Sequence, residues 1–467
     1  MYRVEKDSLG EINVPINVYY GVQTVRNINN FKITNIKYPD VFIKSYVMIK
    51  KACALANMEL KVLDEIRGSA IVKACNEILD GKFLDQFVID AINSGAGTAF
   101  NMNVNEVIAN RALEILGKQK GDYAYLSPND HVNMSQSTND TFPTAAHLAL
   151  ILMIDNLINV LNDLQQALSF KAKEFKGIIK TGRTHHMDAM PITLGMEFGT
   201  YSDMIRKNIE LLEFAKNELR YVPLGGTAVG TGVNAPKGFK ELAVAKLSQI
   251  SGIKLKHQKN PMYGLQSRTP LTIISSVLKT LALDIIKIDN DIMLMSSGPK
   301  TGLNEITVQP VMPGSSIMPG KTNPSIFEAM NMIAYHIIGT DVTVTMATSD
   351  GLLELNVYTP VIIFDILFEL QMLLNFLPIY IEKGIRGIKA NKETCEKHFR
   401  TNPSLVTALS PYIGYLKAAE IYKEVLATGK TIEEIVIEKR LMSKRQLKKI
   451  FNPNSLLKPS QITEQNK

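Results

Sequence analysis

Two adjacent serines, a lysine and an asparagine lie within residues 312–324, MPGSSIMPGKTNP. The three prolines and two glycines among these thirteen residues exclude a strand or a continuous helix, because proline removes a backbone donor and glycine frees φ. Residues 325–339 are predicted to form a helix that Asn323 caps, with Pro324 at its first position. Lys321 and Asn323 are therefore expected at a helix N-terminus, where exposed amides and the helix dipole favour an anion.

The chemistry that these residue types permit is removal of a proton from carbon. A serine is a base for a carbon acid only as an alkoxide, so neighbouring amides and an ammonium would have to stabilise the charged form. Each unit of the required pKa shift needs about 1.4 kcal/mol of differential stabilisation. The alternative interpretation is an ordinary surface loop, which is what most segments rich in proline and glycine are.

The segment GSSIMPGKTN at 314–323 resembles the signature GSSxMPxKxN of the aspartase/fumarase superfamily at all seven fixed positions. This resemblance implies that Ser315 removes a proton from the carbon next to a carboxylate. It also implies that Lys321 and Asn323 hold that carboxylate while it becomes a doubly charged aci-carboxylate, where a countercharge is most useful. Two further residues of the segment are implied to bind substrate, Ser316 and Met318.

Two other polar segments match the superfamily. Residues 93–103, NSGAGTAFNMN, form a small-residue loop in which the resemblance assigns Thr98 to the substrate. Residues 127–144 are almost all polar and supply short donors and acceptors, suited to carboxylate and ammonium alike. By resemblance, the substrate contacts in this segment are Ser137, Thr138 and Asn139. A second anion-binding site is implied near Asn129, His131 and Asn133.

Residues 181–197, TGRTHHMDAMPITLGME, resemble the superfamily pattern GRTHxxDAxPxTLGxEF. A lone histidine is more often structural than functional, but the match favours a substrate role for His185, directly or through water. Thr184 is implied to contact a carboxylate. Glu328, on the helix after the signature segment, is predicted to be the acidic partner that orients His185.

Apolar residues recur at three- and four-residue spacing over four stretches, which predicts long helices at 143–176, 194–222, 271–295 and 360–381. Helices of such length bury one stripe within the chain and often a second stripe against a partner. The resemblance implies a mainly α-helical subunit of three domains, with five long helices in the middle one. The domains are predicted at 1–137 (mixed helical), 138–393 (central bundle) and 394–467 (small, helical). The resemblance also implies a homotetramer in which three chains contribute to each active site.

Composition bears on the other classes of protein. The net charge is +7, from 52 basic and 45 acidic residues, but the basic side chains of residues 428–451 are interleaved with glutamates. This predicts a solvated face and no nucleic-acid partner. The cysteines Cys53, Cys75 and Cys395 form no CxxC pair, so neither a disulfide framework nor a zinc site is expected. The N-terminus lacks the apolar core of a signal peptide, and polar residues interrupt every apolar run.

These features favour a cytoplasmic protein without a membrane span. Its expected partner is a small dicarboxylate substrate. No cofactor or metal is expected, because the carboxylate next to the reacting carbon is itself the electron sink.

Two reactions of the superfamily compete. Aspartase-like segments lie at 19–21, 95–98, 136–140, 302–305 and 342–347, and fumarase-like segments lie at 103–112, 139–147, 224–232 and 406–415. Fumarases mostly carry serine at the position of Thr138. This difference favours elimination of ammonia from L-aspartate over the class II fumarase reaction on L-malate. A catalytically silent scaffold is a third alternative, and the presence of Ser315, Lys321 and His185 disfavours it.

The chain departs from both patterns at several positions. Met134 stands where lysine is usual, Lys300 replaces an arginine, and residues 260–270 lack a common acidic residue. Met187 and Met196 replace glutamines. Because lysine cannot reproduce the bidentate geometry of arginine, these differences bear on substrate fit. They leave the predicted fold unchanged.

Overall fold

The structure, a computed structural model, describes residues 1–459 of the 467-residue chain and is mainly α-helical. The described residues form the α-helices α1 Val22–Asn30, α2 Asp40–Glu59, α3 Glu65–Leu79, α4 Thr98–Ile115, α5 Thr138–Glu174, α6 Leu194–Glu218, α7 Phe239–Ser251, α8 Pro261–Gln266, α9 Thr269–Met295, α10 Ser325–Ser349, α11 Thr359–Ile379, α12 Lys392–Thr401, α13 Ser410–Ile413, α14 Tyr415–Thr428, α15 Ile432–Glu438, α16 Lys444–Ile450 and α17 Pro453–Leu456. Shorter 3-10 or π turns occupy Leu84–Gln86, Gly95–Gly97, Pro128–Val132, Tyr380–Ile385 and Pro403–Leu409.

The strands are short and pair two by two. They are β1 Tyr2–Asp7, β2 Gly10–Pro15, β3 Ile179–Thr184, β4 Met187–Thr193, β5 Tyr221–Val222, β6 Lys256–His257, β7 Ile306–Thr307 and β8 Lys389–Ala390. The pairs β1–β2, β3–β4 and β7–β8 are antiparallel, whereas β5–β6 is parallel. The β3–β4 hairpin pairs Ile179 with Thr193 and Thr184 with Met187, with a shift of register between Thr181 and Arg183.

Five helices have more than 20 residues, as the sequence led us to expect of long central helices. They are α5, α6, α9, α10 and α11, of 37, 25, 27, 25 and 21 residues. The apolar spacing predicted the bounds of α5, α6, α9 and α11 to within a few residues. The predicted end of α10 at Gly339 is wrong, because the helix continues to Ser349. Apolar spacing continues through Val344, and an interior glycine costs only about 1 kcal/mol relative to alanine.

The chain divides into two compact units. The first unit comprises residues 1–159, 208–283 and 333–375, and the second comprises residues 160–207, 284–332 and those from 376 onward. The core of the first unit contains a cluster of aromatic rings with centroids 4.5–6.1 Å apart, from Tyr38, Phe42, Tyr46, Phe100 and Phe142. An ion pair of 2.7 Å between Lys216 and Asp155 joins α6 to α5 within this unit.

In the second unit, polar contacts tie the long helices to one another. Tyr201 on α6 donates its hydroxyl to Asp291 on α9 at 2.8 Å, and Gln165 on α5 donates to Ser202 on α6 at 2.8 Å. Near the C-terminus, buried residues between Phe399 and Leu447 form a small hydrophobic core of their own. The predicted division into three domains stays a prediction.

Two helical segments are long and apolar enough to cross a membrane by length and composition, Thr138–Glu174 and Thr359–Ile385. Their most apolar windows are 72% and 50% buried inside the protein. Core helices of soluble proteins pass the same test, and this burial identifies both segments as core helices.

Candidate active site

The loop before α10 directs two backbone amides at one serine oxygen. The amides of Ile317 and Met318 donate to Oγ of Ser315 at 3.2 and 2.9 Å. Two N–H dipoles on one oxygen stabilise negative charge there, which is what an alkoxide base requires. The role of Ser315 as the base stays a prediction.

The neck of this loop is closed by backbone contacts that leave no room for a side chain at Gly314. The Gly314 amide donates to the Lys321 carbonyl at 2.9 Å, and a Cβ on Gly314 would lie 2.6 Å from that oxygen. The side-chain amide of Asn323 donates to the Gly314 carbonyl at 2.7 Å. The predicted capping of α10 by Asn323 is therefore wrong: its side chain closes the loop instead, and the helix begins at Ser325.

Lys321, Ser316 and Met318 are exposed on this loop. Within residues 1–459, no hydrogen bond or ion pair engages the Lys321 ammonium, so it is free to meet an anion. Ser315 and Asn323 are partly buried beneath these exposed groups. The five residues predicted from the signature thus lie on one loop of fixed shape.

The β3–β4 hairpin presents Thr184 and His185 at its tip. Because Thr184 pairs with Met187, His185 and His186 form a two-residue turn, and both have positive φ, 55° and 62°. Such turns usually contain asparagine and glycine, since a left-handed backbone costs other residues about 1–2 kcal/mol. Thr184, His185 and His186 are all exposed. Strain held at an exposed turn is a common mark of a functional site.

His185 and Glu328 both belong to the second unit and are both exposed. No hydrogen bond or ion pair joins them in the described part of the chain. The predicted pairing is thus not formed within one chain.

In the first unit, Thr98 is the first residue of α4 and its side chain is exposed. Gly97 precedes it with φ 92°, and a Cβ at Gly97 would lie 2.2 Å from the ring of Phe142. Glycine is required here because both the backbone conformation and the close ring exclude a side chain. Thr98 is thereby fixed at an open helix N-terminus, where amides favour an anion.

Asp140 organises the segment that carries Ser137, Thr138 and Asn139. Its buried carboxylate accepts from the amides of Ser137, Gly225 and Thr227 at 3.1, 3.0 and 2.8 Å. Burial raises the pKa of the Asp140 carboxyl to about 7, although the amides act in the opposite direction. The amides of Gly225 and Thr227 hold the segment against the loop at 225–227. Asp140 was not predicted as a site residue, although it follows the polar triad directly in the sequence.

The three predicted contacts of this segment differ in exposure. Ser137 and Asn139 are partly exposed, whereas Thr138 is only 6% exposed. The side-chain amide of Asn139 donates to the Ala228 carbonyl at 2.8 Å, which leaves its oxygen available. Ser137 and Asn139 are therefore the more accessible of the three.

The three residues of the predicted second anion site are used differently. Asn129 is exposed and lines a cavity of about 560 Å³ whose charged lining includes Lys6 and Arg26 as well as Asp7 and Glu106. Nδ1 of His131 accepts from the Ser127 amide at 2.9 Å, and burial lowers the pKa of this imidazole. Oδ1 of Asn133 accepts from the buried ammonium of Lys50 at 2.9 Å. The second anion site stays a prediction.

Lys50 is a buried cation that sequence reasoning missed. Its ammonium is 0% exposed and donates to side-chain oxygens of Asn101, Asn133 and Gln136 at 2.6, 2.9 and 2.9 Å. All three acceptors are neutral, and burial lowers the pKa of Lys50 to about 7. The ammonium links the start of α4, where Thr98 lies, to the segment before Ser137. A lysine inside the apolar run VMIKKACALA was the available signal.

The residues that the structure describes contain no group of three or more His, Cys, Asp or Glu side chains placed to hold a metal ion. The three cysteines are buried and free.

Comparison with known proteins identifies the family. Residues 10–339 match the family model described as "Lyase", and residues 405–458 match the one described as "Fumarase C C-terminus". The chain belongs to the aspartase/fumarase family of lyases. The recognition made from the signature segments and the mainly α-helical fold class are thereby confirmed.

Relatives of this lyase resemble it over nearly its full length. Aspartate ammonia-lyase from a Bacillus species is 44% identical over 98% of both chains. Aspartate ammonia-lyase from Escherichia coli K12 is 42% identical over 98% of this chain and 96% of its own. Among solved structures, the fumarate lyase:delta crystallin from Brucella melitensis bound to cobalt is 44% identical, with a TM-score of 0.95 over 98% and 100% of the chains. Class II fumarase from Schistosoma mansoni is 35% identical, with a TM-score of 0.94 over 97% and 98%.

Proposed function

We propose that this lyase is an aspartate ammonia-lyase, which reversibly converts L-aspartate to fumarate and ammonia by anti elimination. The observation that carries the proposal is the identity of 42–44% over 98% of the chain to proteins with that name. The class II fumarase alternative is not favoured, since the fumarase structure is only 35% identical. The amides on Ser315 support the chemistry that both reactions share.

In the proposed mechanism, the Ser315 alkoxide takes a proton from the carbon that bears the side-chain carboxylate. The electron pair moves into that carboxylate, which becomes a dianion held by Lys321 and by the second N–H of Asn323. The dianion then collapses to form the double bond, the carbon–nitrogen bond breaks, and the ammonium group leaves as ammonia. Ser316 and Met318 border the carboxylate on the same loop. No cofactor takes part.

The remaining substrate contacts are assigned by position. Short polar side chains and one imidazole surround the amino group and the other carboxylate in this proposal; they are Thr98, Ser137, Thr138, Asn139, Thr184 and His185. A site built to hydrogen-bond an ammonium discriminates against a hydroxyl, because its acceptors would be left unpaired. This predicts that L-malate is a poor substrate.

We also propose that the protein is a homotetramer whose active sites draw on three chains. Exposed apolar side chains follow one face of α10 at spacings of seven and four residues, Tyr335, Val342 and Met346. Such a stripe is typical of a helix that packs against another copy. In a shared site, His185 of one copy meets Glu328 of another, which accounts for their separation within one chain. We place the tetramer in the cytoplasm, with no nucleic-acid or membrane partner.

The test uses the purified full-length protein with L-aspartate and, separately, with L-malate, while the ultraviolet absorbance of fumarate is followed. We expect fumarate from L-aspartate and none from L-malate. Fumarate from L-malate alone would make the protein a fumarase. Absence of fumarate from both would contradict the proposed reaction.

A further inference from the structure

Glu305, just before β7, is a fully buried carboxylate with three cationic or imidazole neighbours. Its side chain is 0% exposed. Oε1 accepts from Nη1 of Arg183 at 2.8 Å and lies 3.1 Å from Nδ1 of His398. Oε2 lies 3.1 Å from Nζ of Lys180. The described chain therefore concentrates three basic side chains on one buried anion.

These neighbours belong to elements that lie far apart in sequence. Lys180 and Arg183 are on β3, and His398 is on α12. The Glu305 backbone is fixed as well, since its amide donates to the Met295 carbonyl at 2.8 Å and its carbonyl accepts from the Asn391 amide at 2.9 Å. Because both backbone and side chain are held, the carboxylate is a fixed point for β3.

The charges around Glu305 keep it ionised. Burial alone would raise the pKa of its carboxyl, but the charges of Lys180 and Arg183 outweigh burial and hold this pKa below its usual value. Lys180 has a second carboxylate, Glu197, at 2.8 Å. Besides Glu305, Arg183 has the exposed carboxylate of Asp188 at 3.9 Å, the Thr181 carbonyl at 3.4 Å and Nδ1 of His398 at 3.5 Å. Arg183 thus depends on Glu305 far more than Lys180 does.

Arg183 is the residue immediately before Thr184 and His185. The turn that follows it holds two histidines in left-handed conformations, which persist only where surrounding contacts determine the backbone. The register shift between Thr181 and Arg183 leaves this end of the hairpin with fewer ladder contacts than a regular pair. The ion pair with Glu305 therefore holds the β3 side at the base of the tip, while Ser404 and Asn402 donate to the Asp188 and Ala189 carbonyls on the β4 side at 2.8 and 2.7 Å.

We propose that Glu305 is a positioning residue for the lyase reaction: through Arg183 it fixes the hairpin tip so that Thr184 and His185 meet the substrate. The proposal rests on the proposed function and adds a residue that acts without touching the substrate. A misplacement of about 1 Å at a catalytic group can lower the rate about 100-fold. The sequence marks Glu305 only as part of the aspartase-like segment at 302–305.

The test is a cycle of variants in the full-length protein, read as kcat/KM for L-aspartate. Glu305→Gln keeps the side-chain volume and removes the charge; we expect a loss of about 10- to 100-fold. The tip variant Thr184→Ala/His185→Gly removes the groups that Glu305 is proposed to position, and glycine accepts the positive φ. Adding Glu305→Gln to the tip variant should lower kcat/KM by less than about a further 3-fold, because the groups to be positioned are already absent.

Two further variants control the cycle. Asp188→Asn removes the exposed carboxylate near the same arginine and should change kcat/KM less than about 2-fold. If Glu305→Gln does not fold, His398→Gln replaces it, since it removes the imidazole that contacts Glu305 and Arg183 but leaves the ion pairs of Glu305 with Lys180 and Arg183 in place. His398→Gln should lower kcat/KM less than Glu305→Gln does, and this loss should also disappear when His398→Gln is added to the tip variant.

The outcomes separate the two proposals. If the wild type makes fumarate from L-aspartate and the losses are multiplicative in the combined variant, Glu305 has no positioning role and the proposed function stands. Wild-type kcat/KM in Glu305→Gln would also overturn the role. A wild type that makes no fumarate overturns the proposed function first and this role with it.

Discussion

Two buried charges, one in each compact unit, lie behind the segments predicted to face the substrate. Lys50 is surrounded by neutral side-chain oxygens at 2.6–2.9 Å, whereas Glu305 is surrounded by Lys180, Arg183 and His398 at 2.8–3.1 Å. Both side chains are 0% exposed. The neutral surroundings leave the pKa of Lys50 lowered to about 7 by burial. The cationic surroundings hold the pKa of Glu305 below its usual value despite burial.

Two side chains that are equally buried can therefore differ in how firmly they hold the surrounding elements together. A buried charge with opposite charges beside it stays ionised and ties elements together, and removing it leaves those partners uncompensated. A buried charge with neutral ligands is nearly balanced between its two protonation states at neutral pH. We therefore expect Glu305 to be the stronger anchor and Lys50 to be the pH-sensitive one.

The largest expected effect is that of Glu305→Gln on stability. Loss of one partner from a buried ion-pair cluster costs about 3–5 kcal/mol, and Glu197 compensates Lys180 in part, so we expect about 3 kcal/mol. The free energy of unfolding from urea denaturation at pH 7 measures it. Asp188→Asn is the matched control and should change this free energy by less than about 1 kcal/mol. A loss of unfolding free energy in Glu305→Gln that is smaller than the loss in Asp188→Asn would contradict the proposed difference between Glu305 and Lys50.

Lys50→Met should destabilise the protein less than Glu305→Gln does. It leaves acceptors on Asn101 and Gln136 without their donor, at about 1–3 kcal/mol each, but it also removes a buried charge whose direct ligands are all neutral. We expect a net loss of about 1–2 kcal/mol in the same denaturation experiment. Lys51→Met, at the neighbouring position of α2, is the control. A loss larger than that of Glu305→Gln would reverse the proposed ranking of the anchors.

The pH dependence of stability separates the two charges. The folded pKa of Lys50, about 7, lies below the ordinary value of about 10.4. Between these values the unfolded chain holds a proton that the folded chain lacks, so stability rises with pH by up to about 1.4 kcal/mol per pH unit. Denaturation of Lys50→Met at pH 7, 8 and 9 should show a shallower rise than the wild type.

Glu305 should behave differently in that range. Because its folded pKa is lowered, its contribution is complete above the unfolded value of about 4.3 and is lost only as pH falls through the folded value. Glu305→Gln should therefore keep the wild-type slope between pH 7 and 9. A shallower slope in Glu305→Gln, or an unchanged slope in Lys50→Met, contradicts the assignment.

The smallest effect concerns the hairpin that Glu305 anchors. His186 has φ 62°, and asparagine tolerates that conformation better than histidine does. His186→Asn should stabilise the protein by about 0.5 kcal/mol, measured as a small rise in Tm. A fall in Tm would show that the histidine ring contributes more than its backbone strain costs.

Local patterns predicted much of the fold and part of the site. The spacing of apolar residues predicted α9 at 271–295, and the structure has Thr269–Met295. The signature segment predicted an irregular loop at Ser315, and the structure has a loop there in which the Ile317 and Met318 amides donate to Oγ of Ser315. Such features can be predicted from the sequence because they depend on residues that are close together along the chain.

Long-range contacts were not predictable in the same way. Glu305 meets Arg183 and His398, which no periodicity places beside it. The end of α10 was wrong because a single glycine is a weak stop signal, and the Asn323 cap was wrong because α10 begins at Ser325, two residues further on. The left-handed histidines depend on a two-residue connection that the strand pairing alone defines.

The measurement that tests the account most directly is turnover of L-aspartate by Ser315→Ala, followed as fumarate absorbance beside the wild type. The variant lacks only the base, so we expect kcat to fall by at least about 1,000-fold, while binding of L-aspartate measured by calorimetry changes only a few-fold. An unchanged Tm shows that the fold is retained. If Ser315→Ala keeps most of the wild-type kcat, Ser315 is not the base and the central claim is wrong.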